Sequence, residues 1–356
     1  MVIFFNITQT FHLLTINKQV INKNSQLSPR LFIYFCSMKN ETKGWLLLLI
    51  LAVIWGSSFI LMKKSMFTDS EDAIFSDQQV GSLRMLIAGL VLLPFGISAI
   101  KKIVSFKIFL SLAIVGFFGN FFPAFLFTYA ETGISSGFTG MLNSFTPIFT
   151  VLIGYFVFKV HLNLLQIFGV ALGTFGIYFL MSSGLDISAT GTWLHVGAVV
   201  IATLCYAISL NTIKHTLQSI NPIAITSLAF LIVLIPALLC ALYFDTFHAF
   251  SSNKYAMDGL KALTLLSVVG TALAVIIFNR LISITSALFA SSVTYFIPIV
   301  AVLIGVYFKE SISFYQICAM LVILIGVLFV NYSQGISNMI IKFNSIKKKK
   351  KGINND

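Results

Sequence analysis

A chain of 356 residues that is 58% hydrophobic and only 10% charged, with a mean hydropathy of +0.97, has too few ionisable side chains to cover a water-exposed surface; soluble domains carry roughly 25%. Such a composition excludes an ordinary cytosolic enzyme and describes a membrane protein. The net charge of +12 sits in short loops and a tail between apolar runs, where Lys and Arg set topology, so nucleic acid is not expected as a partner.

The four cysteines (Cys36, Cys205, Cys240, Cys318) lack the CxxC spacing of a metal or redox pair. The five histidines (His12, His161, His195, His215, His248) are far apart, with no HExxH. Neither a metal nor another cofactor is expected, and no residue is expected to be catalytic.

In chain order, residues 1–37 carry no basic n-region, no sustained apolar h-region and no A-x-A site, and make a poor signal peptide. From Met38 the sequence MKNETKGWLLLLILAVIWG is a short basic start running straight into an apolar stretch; translation is expected to begin there, leaving 1–37 as a non-native or disordered extension. About 20 apolar residues cross a bilayer as a helix, and ten stretches qualify: 44–64, 80–100, 108–130, 134–158, 163–182, 192–213, 222–244, 260–281, 284–308 and 313–333. The expected fold class is all-α integral membrane. A basic tail, 336–356, follows.

Alternate loops agree in charge. Lys39 and Lys43, then Lys101, Lys102 and Lys107, then Lys159, Lys214, Arg280 and the tail lysines Lys342 and Lys347 to Lys351 fall on one side. The other side is acidic or sparse: Asp69, Glu71, Asp72 and Asp77, then Glu131, Asp186, and Asp245 and Asp258 against Lys254 and Lys261. Basic loops stay cytoplasmic, so both termini are expected inside, on a multi-pass protein of the cell inner (cytoplasmic) membrane.

The segment SSGFTGMLNSFTPIFTVLIG (135–154) aligns with SALFASSVTYFIPIVAVLIG (286–305) at a constant offset of 151, matching Phe138 to Phe289, Pro147 to Pro298 and the VLIG run. The same offset brings Trp55 onto Tyr206 and Lys63 onto Lys214. A five-helix unit used twice is expected, 38–186 and 187–335. Five is odd, so the second copy enters the membrane inverted, an architecture of secondary transporters.

The residues WGSSFILMKKSM (55–66), SLRMLIAGLVLLPFG (82–96), TGMLNSFTPIFTVLIG (139–154) and FIPIVAVLIGVYFKESISFYQ (296–316) make the chain resemble EamA-type members of the drug/metabolite transporter superfamily, over essentially Gly44 to Ser333. The resemblance implies ten helices in two inverted halves, a central cavity, and transport of a small metabolite, often outward, an amino acid or related compound among them. One departure stands out: Lys309-Glu310-Ser311 in the second half faces Lys159-Val160-His161 in the first, so the acidic position occurs once.

An interior proline cannot donate to the carbonyl four residues back. Pro147 and Pro298 are therefore expected to kink their helices and free the carbonyls of Asn143 and Thr294, tolerated in a membrane only where protein or a wet cavity satisfies them. Asn143 and Thr294 are candidates for the substrate cavity; the alternative is a packing kink. Trp55 and Tyr206 lie too deep for the interfacial aromatic belt and are cavity candidates by their amphipathic rings, against ordinary packing. Asn120, Tyr295 and Ser58 are weaker candidates. Arg84, Glu131 and Glu310 are the ionisable groups of a gate or coupling site: Arg84 pairs with either carboxylate, meets a substrate carboxylate, or snorkels to the interface. Gly169-x-x-x-Gly173 offers a packing face for another helix or for a second copy in a homodimer.

Two other classes compete. Gly133-Ile134-Ser135-Ser136-Gly137 fits G-x-S-x-G, but that nucleophile motif needs a strand, a turn and Asp and His partners, and its repeat mate Ile284-Thr285-Ser286-Ala287-Leu288 has neither glycine. An intramembrane serine hydrolase using Ser135 is thus the enzyme alternative. A channel is the other, without a charged ring or filter sequence to support it.

Overall fold

The computed structural model describes residues 40–182, 192–285 and 293–330. Met38, the extension, the tail, Asp186 and the 286–292 part of the repeated segment lie outside them. By compactness the chain divides into Met1–Trp45, whose described part is the start of the first helix, and Leu46–Asp356, to which everything below belongs.

The described residues are helical, with one isolated bridge between Phe67 and Ala73 in the first loop. The helices are α1 (Asn40–Gly56), α2 (Ser58–Met66), α3 (Asp77–Ala99), α4 (Phe106–Gly116), α5 (Phe122–Glu131), α6 (Ser136–Leu142), α7 (Thr146–Phe156), α8 (Leu164–Ser182), α9 (Thr192–Thr216), α10 (Pro222–Tyr243), α11 (Thr246–Ser252), α12 (Ala256–Ser267), α13 (Ala274–Ile284) and α14 (Val293–Tyr307), followed by α15 (Phe314–Val330). Seven helical stretches are long and apolar enough to cross a membrane: Thr42–Met66, Asp77–Lys102, Phe106–Glu131, Ser136–Phe156, Trp193–Thr216, Pro222–Tyr243 and Ala256–Phe278. The protein is multi-pass. Three of the ten expected spans, the fifth, ninth and tenth, instead correspond to shorter apolar helices, Leu164–Leu180, Val293–Tyr307 and Phe314–Val330.

Local chemistry sets the ends. Ser76 and Gln79 form a reciprocal capping box at α3, Gln79 N–H donating to Ser76 Oγ (3.2 Å) and Ser76 N–H to Gln79 Oε1 (3.0 Å). Asn163 with Gln166 and Ser313 with Gln316 do the same at α8 and α15. Asn221 caps α10 ahead of Pro222. These caps hold the orphan amides at the loop ends. Between them, large apolar side chains such as Ile235 (67% exposed) and Leu303 (65%) point outward, a surface stable against lipid and not against water.

Packing joins the first half of the chain to the second. α3 lies along α10, α2 along α12, α9 along α5 and α7, and α14 along α6. Two π-helical turns interrupt helices in matching places, Phe117–Phe121 between α4 and α5 and Val268–Leu273 between α12 and α13. Each widened turn receives a serine from across the bundle: a Cβ on Gly270 would stand 3.1 Å from Ser58 Oγ, and one on Gly119 would meet Ser209 Oγ. Trp55 packs on Phe278 (centroids 5.4 Å apart) and Tyr206 stacks on Phe127 (5.8 Å). Lys64 lies over the Phe308 ring at 4.3 Å, and His215 stacks on Phe158 at 4.4 Å. Trp55 corresponds to Tyr206, Phe127 to Phe278, Lys64 to His215 and Phe158 to Phe308, each 150 or 151 residues apart, the spacing of the sequence repeat.

Gly169 and Gly173 are occupied within the chain. A Cβ at Gly169 would sit 2.6 Å from the Gly326 carbonyl, and one at Gly326 would sit 2.6 Å from Gly173 N. The GxxxG face of α8 therefore packs on α15, backbone to backbone, and presents no free surface to a second copy.

Candidate functional site

Lys63, Glu131 and Glu310 gather at one end of the bundle. Helix α14 closes with Lys309 in the left-handed conformation (φ 64°), and the Glu310 N–H returns to the Gly305 carbonyl at 2.9 Å, a Schellman-type ending. This turn swings the Glu310 side chain back over its own helix. Its carboxylate accepts the backbone N–H groups of Ser136 and Gly137, both at 2.9 Å, and so supplies a negative charge to the exposed amides that open α6. Gly305 makes the room: a Cβ there would lie 2.5 Å from Glu310 Oε2. Lys63 Nζ, at the end of α2, stands 3.8 Å from Glu310 Oε1, with the carboxylate side chain 7% exposed and the lysine 39%. Beside them Ser136 Oγ donates to Glu131 Oε2 at 2.7 Å, while Glu131 Oε1 is buried without a partner among the described residues. Helices α2, α5, α6 and α14 are thus tied at one point.

Lys63 and Lys64 were not part of the expected charge pattern of the first loop, which was read from its acids alone. Both lysines are held at the end of α2, Lys64 by Asp69 (3.5 Å) and the Phe308 ring. Close by, His195 stacks on Tyr129 (4.7 Å) and shares a 3.3 Å hydrogen bond between its Nε2 and Thr132 Oγ1.

Arg84 joins neither carboxylate. Its Nη1 donates to the Met62 sulfur at 3.6 Å, and its Nε is buried with no partner among the described residues. In place of an Arg84 pair, Glu310 is held by Lys63 of α2 and the Ser136 and Gly137 amides, and Glu131 by the Ser136 hydroxyl.

Among the cavity candidates, Trp55 donates its indole N–H to the Gly270 carbonyl (3.1 Å), an acceptor that the π-helical turn leaves available. Tyr206 is half-buried on Phe127. Asn120 donates to the Val115 carbonyl within the first π turn at 3.3 Å, and Tyr295 OH donates to the Val327 carbonyl at 3.1 Å. Asn143 is half-buried with its Oδ1 unpartnered among the described residues. The freed carbonyl expected at Asn143 is absent: a 3-10 turn, Asn143–Phe145, precedes Pro147, and the Thr146 N–H donates to Asn143 O. Tightening the turn by one residue satisfies the group that the proline strands. Pro298 stays inside α14, and Thr294 one turn before it is half-buried. Ser135, the candidate nucleophile, caps α6 by accepting the Phe138 N–H at 3.3 Å, and no His or Asp hydrogen-bonds it among the described residues.

Sequence reasoning missed Asn211. Its Nδ2 donates to the Thr150 carbonyl of α7 and the Ala207 carbonyl of α9, both at 2.9 Å, a neutral clasp toward the opposite end from Glu310. An amide well inside an apolar run was its only signal. A cavity of about 560 Å³ opens separately at the surface, lined by Asp72, Ala73, Ser252, Asn253, Lys254 and Tyr255.

The description of the EamA-like transporter family matches twice, over residues 42–182 and 193–332. This chain belongs to the EamA-like transporter family. The EamA-like chain is also similar to a Salmonella typhimurium (strain LT2) protein described as "Probable amino-acid metabolite efflux pump", with 26% identity over 310 residues, covering 81% of this chain and 94% of that protein. A solved crystal structure superposes on the EamA-like fold with a TM-score of 0.55 at 14% identity, covering 81% of this chain and 96% of that one; it bears on fold alone.

Proposed function

We propose that this transporter is a secondary carrier exporting a small organic metabolite, an amino acid or a related compound, across the cytoplasmic membrane by alternating access. Ten helices in two inverted halves rock about a cavity near the midplane, with both termini cytoplasmic. The observation that carries the reading is the doubled family match, which falls on the two halves whose contacts recur at the repeat spacing. Inverted halves exchange two shapes around a shared site. The efflux description of the Salmonella protein supports the direction and the substrate class.

In this reading the Glu310 cluster is the outer gate, closed here, and the Asn211 clasp belongs to the inner gate. Breaking the Glu310 contacts lets α14 and α2 leave α6 on the outer side.

The test is untargeted mass spectrometry of the medium around cells expressing wild type or Gly154→Trp. A Cβ at Gly154 already stands 3.3 Å from Asn211 Oδ1, so an indole there jams α7 against α9. A metabolite enriched outside by the wild type alone is expected. Equal media, with both proteins present in the membrane, would refute export.

A further inference from the structure

We infer that Arg84 is the anion-binding residue of the substrate path, and that the ligand is an organic carboxylate whose apolar or aromatic body lies against Tyr206. The inference rests on the carrier reading above and deepens it.

A guanidinium within an apolar layer is costly unless an anion or water compensates it, and it has five N–H donors to satisfy. Arg84 sits in α3, in the span Asp77–Lys102, and is half-buried. Its hydrogen bond goes to a thioether sulfur at 3.6 Å, among the weakest acceptors a protein offers. Its Nε is buried and unpartnered, and none of the ion pairs among the described residues involves it. The neighbouring carboxylates are engaged elsewhere, Glu310 by Lys63 and two amides, Glu131 by Ser136. Snorkelling to the interface would leave the head group wet and Met62 untouched. The contact to Met62 holds it across the bundle instead, toward α2.

The surroundings suit an amphipathic acid. Tyr206 lies near enough to Arg84 to interact with it electrostatically. Its ring stacks on Phe127 at 29° between planes, and Phe127 packs on Phe59 at 5.8 Å. A fixed cation beside the half-buried Tyr206 ring, which Phe127 and Phe59 back from the core, recognises a carboxylate by paired charge-assisted hydrogen bonds and the attached body by ring packing. The Met62 sulfur is an acceptor that a carboxylate oxygen displaces at little cost, which leaves the site ready for its ligand. Helices α2, α3 and α5 of the first half and α9 of the second supply these groups together, so the site spans both halves.

The experiment uses the purified full chain in lipid nanodiscs and in proteoliposomes, with phenylacetate and 3-phenylpropionate as probes and their amides as controls of equal shape. Thermal melting of the wild type is expected to rise with the acids and stay level with the amides. The acids are expected to bind about 10- to 100-fold more tightly than the amides, the range of charge-assisted hydrogen bonds. Arg84→Gln is expected to erase the acid preference and Arg84→Lys to retain part of it, each variant first shown to be monodisperse with a melting transition. Equal responses to acid and amide in the wild type, or an acid preference undiminished in Arg84→Gln, would overturn the assignment. Counterflow separates the two readings: export of a metabolite that ignores both acids leaves the carrier standing and removes the anion site, whereas acid binding without any counterflow keeps the site and removes the carrier.

Discussion

Glu310 concentrates several contacts in one side chain. Two backbone amides and an ammonium share its carboxylate, and hydrogen bonds to a charged acceptor contribute about 1.5–3 kcal/mol each. Glu310→Gln keeps an acceptor oxygen and loses the charge, so the proposed outer gate is expected to open more often. The measurement is maleimide labelling of Thr139→Cys, a fully buried position one turn inside α6; its rate is expected to rise about tenfold or more in the Glu310→Gln background. Gly305→Ala is expected to reach the same state without removing a charge, because the new methyl would stand 2.5 Å from Glu310 Oε2 and push the carboxylate away. If it labels no faster than the parent, the carboxylate does not hold the gate. These acids stand out in the sequence because carboxylates are scarce in an apolar chain, but their partners do not. Backbone donors have no letter of their own, and the left-handed turn at Lys309 that aims Glu310 follows from how α14 ends.

Among the helices, α8 and α15 cross backbone to backbone. Gly326→Leu is expected to cost about 1 to 3 kcal/mol by overpacking against Gly169 and Gly173, read as a lowered melting temperature in detergent. Gly197 is the control, since a Cβ there meets nothing within 4 Å: Gly197→Ala is expected to be neutral or to stabilise by up to about 1 kcal/mol through helix propensity. Placing the apolar helices needed only hydropathy and loop charge, and the Asn163 and Ser313 caps needed only the residue three places on. The π turns at Phe117–Phe121 and Val268–Leu273 were not legible, because what each accommodates is a serine from the other half. Pro147 was misread for a related reason: a local rule gave a stranded carbonyl at Asn143, and a 3-10 turn absorbed it.

For the molecule as a whole, the proposed orientation has a direct check. Ser70, Ser105 and Gln218 are exposed in loops. With cysteine at each in turn, a membrane-impermeant maleimide is expected to label Ser70→Cys in intact cells, and Ser105→Cys and Gln218→Cys only after permeabilisation. Labelling of all three in intact cells would discard the assignment. The doubled architecture was visible in 135–154 and 286–305, yet the acids were not doubled. One end of the bundle is fastened by charge, through Lys63 and Glu310, and the other by the uncharged amide of Asn211. Dissolved ions weaken the first, since Lys63 reaches solvent, and leave the second alone. The proposed valve therefore has unlike seats, one of which responds to brine, and on that proposal a cell in saltier surroundings is expected to find its carrier resting more often with the mouth turned outward.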